Sequence, residues 1–154
     1  MDELLEQYSG FPKKQRHEKF YELCERNLED FNSKNQDILN KHHNITKESW
    51  HERVLSYIWL VLVQEIPCNF KFLEIGVFKG RVLSLIELLS KHFKKSGVVR
   101  GITPLSTSGD KYSGYPDSDY YKCINDNYIR MGLDTNNVNI IRGYSQEPAV
   151  IQKA

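Results

Sequence analysis

Phe70-Lys71-Phe72-Leu73-Glu74-Ile75-Gly76-Val77-Phe78-Lys79-Gly80-Arg81 decides the fold. Residues 70–75 are few, rich in aromatic and branched side chains, and preceded by the Pro67-Cys68-Asn69 break, which is the composition of a buried strand in a parallel sheet. Gly76 and Gly80 then bracket a turn. Glycine permits tight backbone geometry there and lets a ligand approach the main chain. Beyond the turn Val82, Leu85, Ile86, Leu89 and Phe93 recur at helical spacing, which predicts a helix over 81–95. Lys91, Lys94 and Lys95 fall in its last turn, where they complement the helix dipole. The unpaired N–H groups at its start face whatever binds. A strand that enters a glycine turn and opens a helix reads as a cofactor cradle.

The spacing is Glu-x-Gly-x-x-x-Gly, whereas the dinucleotide fingerprint requires Gly-x-Gly-x-x-Gly. Phe78 and Arg81 occupy its second and third glycine positions, and a bulky Phe78 where a pyrophosphate would sit argues against NAD or FAD. The stretch resembles motif I of the class I S-adenosylmethionine-dependent methyltransferases, in the branch where Glu-Ile-Gly-Val-aromatic-Lys-Gly replaces the glycine-richer form. The resemblance runs from Phe70 to Ala154. Its second piece is Val98-Val99-Arg100-Gly101-Ile102, a short strand after Gly97, which reads as a helix-ending glycine. Its third is the strand and turn of residues 138–147, in which Ser145-Gln146 is similar to the adenine-contacting turn of small catechol-type O-methyltransferases. Between them residues 119–130 predict a helix, with Tyr120, Cys123, Ile124, Asn127 and Tyr128 on one face.

The resemblance implies an α/β fold: the first half, about three strands, of a Rossmann-like doubly wound parallel sheet, preceded by a helical N-terminal extension. It implies S-adenosylmethionine as cofactor and methyl transfer to a small-molecule or sugar-like acceptor. Glu74 would lie near the amino-acid end of the cofactor, with Gly76, Val77 and Gly80 cradling the methionine portion. Thr103 would lie near the ribose, and Ser145 and Gln146 near the adenine.

Two departures bear on that reading. Family members place an acidic residue at the end of the second strand, where this chain has Thr103. A neutral hydroxyl contact is worth ~0.5–1.5 kcal/mol against ~1.5–3 for one to a charged group, so the exchange weakens nucleoside binding by roughly tenfold. Asp110 and Asp117 in the following loop are candidates to compensate. The sequence also reaches Ala154 where the segment from Pro148 should lead to a fourth strand, the one that carries catalytic or metal-binding carboxylates in the family. No catalytic residue is therefore named, and the expectation is an incomplete domain. The alternative is a non-catalytic, degenerate methyltransferase-fold protein acting as an interaction module, through an exposed sheet edge or the N-terminal helices. The same surfaces are where copies of the chain would associate.

Composition narrows the classes. With 154 residues, 40% of them hydrophobic, the chain can bury one sizeable core. A net charge of +1 leaves no global field for nucleic acid or an anionic membrane. Cys24, Cys68 and Cys123 are odd in number and widely spaced, as expected of reduced thiols. The acidic start, Met1-Asp2-Glu3, is wrong for a signal peptide, and the apolar run 58–63 is far shorter than the ~20 residues of a membrane helix. A soluble, cytoplasmic protein is the expectation.

Residues 1–66 differ from 67–154 in having little glycine and long stretches of helical spacing, so the boundary between extension and sheet domain is drawn there. Phe20, Leu23, Cys24, Asn27, Leu28 and Phe31 predict a helix over 12–42. A second, capped by Thr46, runs to about Ile66, with Trp50, Val54, Tyr57, Ile58, Val61 and Leu62 on its apolar face. The irregular segment 104–118 carries Tyr112 and Tyr115 and belongs above the same edge as the glycine turn. No metal site is expected, since His51-Glu52 is followed by Leu55 where a zinc helix needs its second histidine. A serine elbow and a phosphate loop are likewise missing.

Overall fold

The computed structural model describes residues 22, 33–47, 53–105 and 119–154. Within them lie helices α1 (Ser33–Thr46) and α2 (Arg53–Glu65), strand β1 (Asn69–Ile75), helix α3 (Arg81–His92), strand β2 (Ser96–Thr103), helix α4 (Tyr120–Met131), a 3₁₀ turn (Thr135–Asn137), strand β3 (Ile140–Arg142) and the short helix α5 (Pro148–Ile151). The protein is mixed α/β with a three-stranded sheet in the order β1-β2-β3. Both pairings are parallel, Asn69 lying opposite Ser96 through Ile75 opposite Ile102, and Gly101 to Thr103 opposite Ile140 to Arg142. The alternation of strand, helix, strand, helix and strand matches the sequence reading.

Alternation along β1 sorts its side chains onto two faces. Phe70 and Phe72 pack into the main core, where the Trp59 ring of α2 meets Phe72 edge-on at 5.7 Å. Leu60, Val63, Leu83, Leu89, Ile124 and Tyr128 from α2, α3 and α4 complete this layer. Leu39 of α1 and Leu60 of α2 are fully buried in it, so these N-terminal helices share one core with the sheet. The other face is thinly covered. Ile102, Ile141 and Val150 form a small cluster beneath α5, while Leu73, Val98 and Ile75 remain 42%, 45% and 64% exposed.

α1 is fastened to the start of α3 by polar contacts inside the core. His42 Nε2 lies 2.9 Å from the Arg81 carbonyl oxygen and 3.3 Å from Ser84 Oγ. The Arg81 guanidinium donates to the Thr46 carbonyl at 3.2 Å and meets His43 Nδ1 at 3.0 Å. Burial pulls the Arg81 pKa down, and these acceptors offset part of the cost of desolvating it.

Several local expectations change. Thr46 does not open a helix. It closes α1, and its hydroxyl donates back to the His42 carbonyl at 2.8 Å. Gly97 does not end α3 but lies inside β2, where the Phe70 ring fills the space a Cβ would need. The left-handed residue after α3 is Lys94, with φ 53°. Lys95 lies beyond α3 rather than in its last turn, and its ammonium caps the C-terminal carbonyls of α2, donating to Gln64 at 2.6 Å and to Ile66. Strand β3 begins at Ile140 because Asp134, accepting from the Asn136 N–H at 2.9 Å, caps the 3₁₀ turn that leads into it. The helix over 119–130 is present as α4, capped by Asp119 accepting from the Lys122 N–H at 2.9 Å. Residues 12–21, 23–32 and 106–118, with Trp50, Asp110, Tyr112, Tyr115 and Asp117, lie outside the described residues. No helix among the described residues is long and apolar enough to cross a membrane.

Gly101 marks the tightest packing between sheet and turn. A Cβ there would collide with Val77 Cγ2 and lie 3.0 Å from Ile140 Cδ1. Gly101→Ala is therefore expected to lower stability by about 1–3 kcal/mol, the usual penalty for overpacking a filled core, measured by urea unfolding. Unchanged stability would mean that the β1–β2 layer is looser than this packing implies.

Candidate functional site

Strand β1 runs directly into the glycine turn. The Gly76 N–H donates to the Ile102 carbonyl at 2.9 Å, carrying the ladder one residue past the strand. The chain then takes left-handed geometry at every second residue, with φ 84° at Gly76, 49° at Phe78 and 75° at Gly80. For Phe78 that conformation is strained. The turn is held from three sides: Gly80 N–H donates to Val77 O at 2.8 Å, Asn127 Nδ2 donates to Lys79 O at 3.0 Å, and the Phe78 ring packs on Tyr120 at 5.4 Å.

The two glycines serve different purposes. A Cβ on Gly76 would meet nothing within 4 Å, so its backbone is open to an approaching group. A Cβ on Gly80 would come within 2.8 Å of Ile124 Cγ1, so that glycine lets α4 press against the start of α3. Val77 is 2% exposed and its side chain belongs to the core. Only the main chain of Val77 and Gly80 is therefore available to line a site.

Glu74 is the acidic residue of the motif, and its carboxylate accepts the Leu83 N–H in the first turn of α3. That satisfies one of the orphan donors of the helix and places negative charge at the positive end of its dipole. Burial outweighs both effects and pushes the pKa up to about 8. Its Oε2 is buried with no hydrogen-bond partner among the described residues.

The register brings the next candidates to the same edge. Ile75, Ile102 and Ile141 are successive partners across the sheet, so β1, β2 and β3 end side by side. Thr103, 5% exposed, ends β2; its Oγ1 accepts the Leu105 N–H at 3.3 Å and its carbonyl accepts the Gly143 N–H at 3.1 Å. Beyond β3, half-buried Ser145 and exposed Gln146 sit in a turn closed by the Glu147 N–H donating to Tyr144 O at 3.0 Å. Glu74, Gly76, Val77, Gly80, Thr103, Ser145 and Gln146 thus cluster around one edge of the sheet, five of them in the turns that follow strands.

Two further acidic groups belong to the helices packed on the sheet. Tyr128 of α4 is fully buried, its hydroxyl has no hydrogen-bond partner among the described residues, and burial and the nearby charges of Glu87 and Glu74 raise its pKa. Burial pushes the Glu87 carboxyl of α3 up to about 7. The sequence signal for Glu87 was its place inside Leu85-Ile86-Glu87-Leu88-Leu89, a lone charge in an apolar run. Among the described residues no three His, Cys, Asp or Glu side chains are grouped to hold a metal ion. Comparison with protein-family models, curated proteins and solved structures gives no match.

The Glu74 environment sets a sign for pH dependence. Its folded pKa lies above the ordinary 4.5, so its contribution is fully present below pH 4.5 and is lost as pH rises through about 8. Glu74→Gln removes that loss. Relative to wild type the variant should gain stability between pH 4.5 and about 9, with about 5 kcal/mol as the upper bound. Urea unfolding at both ends of that range measures it, and a constant difference would place Glu74 in water rather than in the core.

Proposed function

We propose that the chain belongs to a Rossmann-like, S-adenosylmethionine-dependent methyltransferase that acts on a small-molecule or sugar-like acceptor. The observation that carries this reading is the open glycine at the carboxyl end of β1. Gly76 leaves the backbone bare at the point where the first strand hands over to a helix N-terminus, beside the ends of β2 and β3. In an open parallel sheet, ligands bind at such an edge.

The residues present suit the parts of the cofactor. Gly76, with the main chain of Val77 and Gly80, would lie against the methionine portion, and the buried Oε2 of Glu74 is an acceptor in want of a cationic N–H group. Pairing with an ammonium would favour the ionised carboxylate that burial disfavours. The Thr103 hydroxyl, already accepting from Leu105, keeps its proton to donate to a ribose oxygen. Ser145 and Gln146 would border the adenine. When bound, the cofactor supplies an electrophilic methyl group, and the chain's task is to position it against the acceptor and exclude water. None of the described residues is assigned as a base.

A second reading has its own support. The outer edge of β1 has no strand partner among the described residues, and Leu73 and Ile75 beside it are exposed. This favours a non-catalytic protein of the same fold, pairing with another chain through the sheet.

Isothermal titration with S-adenosylmethionine and its demethylated product separates the two. The methyltransferase reading expects saturable binding that Gly76→Trp weakens by more than about tenfold while cooperative unfolding is retained, since the indole would occupy the open space. No heat with folded protein at millimolar ligand, or unchanged binding in the variant, overturns it. Self-association in sedimentation velocity that Ile75→Lys abolishes would then support the interaction reading.

A further inference from the structure

The opposite end of the sheet holds a second concavity. β2 is paired with β1 from Ser96 onward, but β3 joins it only at Gly101. Before that point the chain rising from the 3₁₀ turn stands apart from β2, and the gap is a cavity of about 480 Å³. Small-molecule sites commonly run from about 300 to 1,000 Å³. Its walls are Gly97 to Val99 of β2, Asn136 to Ile140 of the incoming chain, and Glu87 of α3. It lies at the amino ends of the strands, whereas the glycine turn lies at their carboxyl ends.

Its chemistry is one-sided. Glu87 is the sole charged residue in the lining, and Asn136, Asn137 and Asn139 are its three amide-bearing residues. Glu87 makes no ion pair among the described residues, and Lys91, one turn further along α3, gives its ammonium to the Gly132 carbonyl at 3.2 Å. The Glu87 charge also reaches Tyr128 of α4, itself acidic, and helps to raise its pKa. An anion would face the Glu87 carboxylate. A neutral apolar ligand would strip water from the amides without replacing it.

We propose that this cavity binds a small organic cation bearing N–H donors, an amine or a guanidinium, with its charge on the Glu87 carboxylate and its remaining donors on the asparagine oxygens. Because burial holds the Glu87 carboxyl near pH 7, ligand entry at neutral pH draws off part of a proton. The site is independent of the glycine turn and stands whether or not the chain binds S-adenosylmethionine.

Titrating the isotope-labelled full chain with agmatine, followed by amide chemical shifts, tests the proposal. Saturable shifts are expected at Gly97, Val98, Asn137 and Val138 and not at Gly76 or Ser145. Glu87→Gln, with wild-type spectral dispersion, should weaken binding at least about tenfold, the cost of losing one charge-assisted contact. Should that variant fail to fold, Asn137→Leu, at an exposed position, is expected to weaken binding in the same assay. Calorimetry in buffers of different ionisation enthalpy should show proton release near pH 7 that Glu87→Gln eliminates. Absence of saturable shifts at millimolar agmatine, equal shifts with neutral N-butylacetamide, or undiminished binding in a folded Glu87→Gln protein would overturn it.

Discussion

Parallel pairing of β1 with β2 is the constraint on which the remaining architecture rests. Two parallel neighbours cannot be joined by a tight turn, so the chain must leave the carboxyl end of β1, cross the sheet and return at the amino end of β2. The twenty residues between Ile75 and Ser96 do this by way of α3. Once that crossover lies on one face, the next, through α4, follows on the same face, and every strand finishes at the same edge. The glycine turn, Thr103 and the Ser145-Gln146 turn meet there for that reason. Their assembly needs no direct contact among them.

The cost of this arrangement is close approach. Gly97 and Gly101 of β2 face the helical layer four residues apart, one leaving room for Phe70 and the other for Val77. Gly80 does the same for Ile124. Three of the glycines are thus packing residues, and Gly76 alone in the strand and turn opens onto empty space with a left-handed backbone. The sequence marked Gly76 and Gly80 as equivalent. Their difference depends on α4, which starts some forty residues later, and local spacing carries no trace of it.

What was legible, and what was not, divides along the same line. Strand β1, the turn, α3 and α4 follow from hydrophobic period and from local caps such as Asp119, all properties of neighbouring residues. Gly97 was misread because a glycine after an amphipathic run normally ends a helix, and only the ring of Phe70 across the sheet explains it. Thr46 was misread because a threonine before a polar turn looks like a cap, whereas its hydroxyl turns back onto its own helix and its carbonyl receives Arg81 from another. The candidate edge was legible as a set of turns. The buried layer behind it was not, since Glu74, Glu87 and Tyr128 come from three elements and meet only in the fold.

That layer links the two ends of the sheet. A carboxylate at a helix N-terminus ordinarily gains from the dipole, yet burial away from water makes Glu74 hold its proton more tightly than an exposed carboxyl. Ionising either carboxylate makes ionisation of Tyr128 harder. A cation reaching one carboxylate cancels the charge it creates, and with it that carboxylate's effect on Tyr128. Asparagine side chains at the amino end and an open glycine backbone at the carboxyl end add no negative charge to the layer.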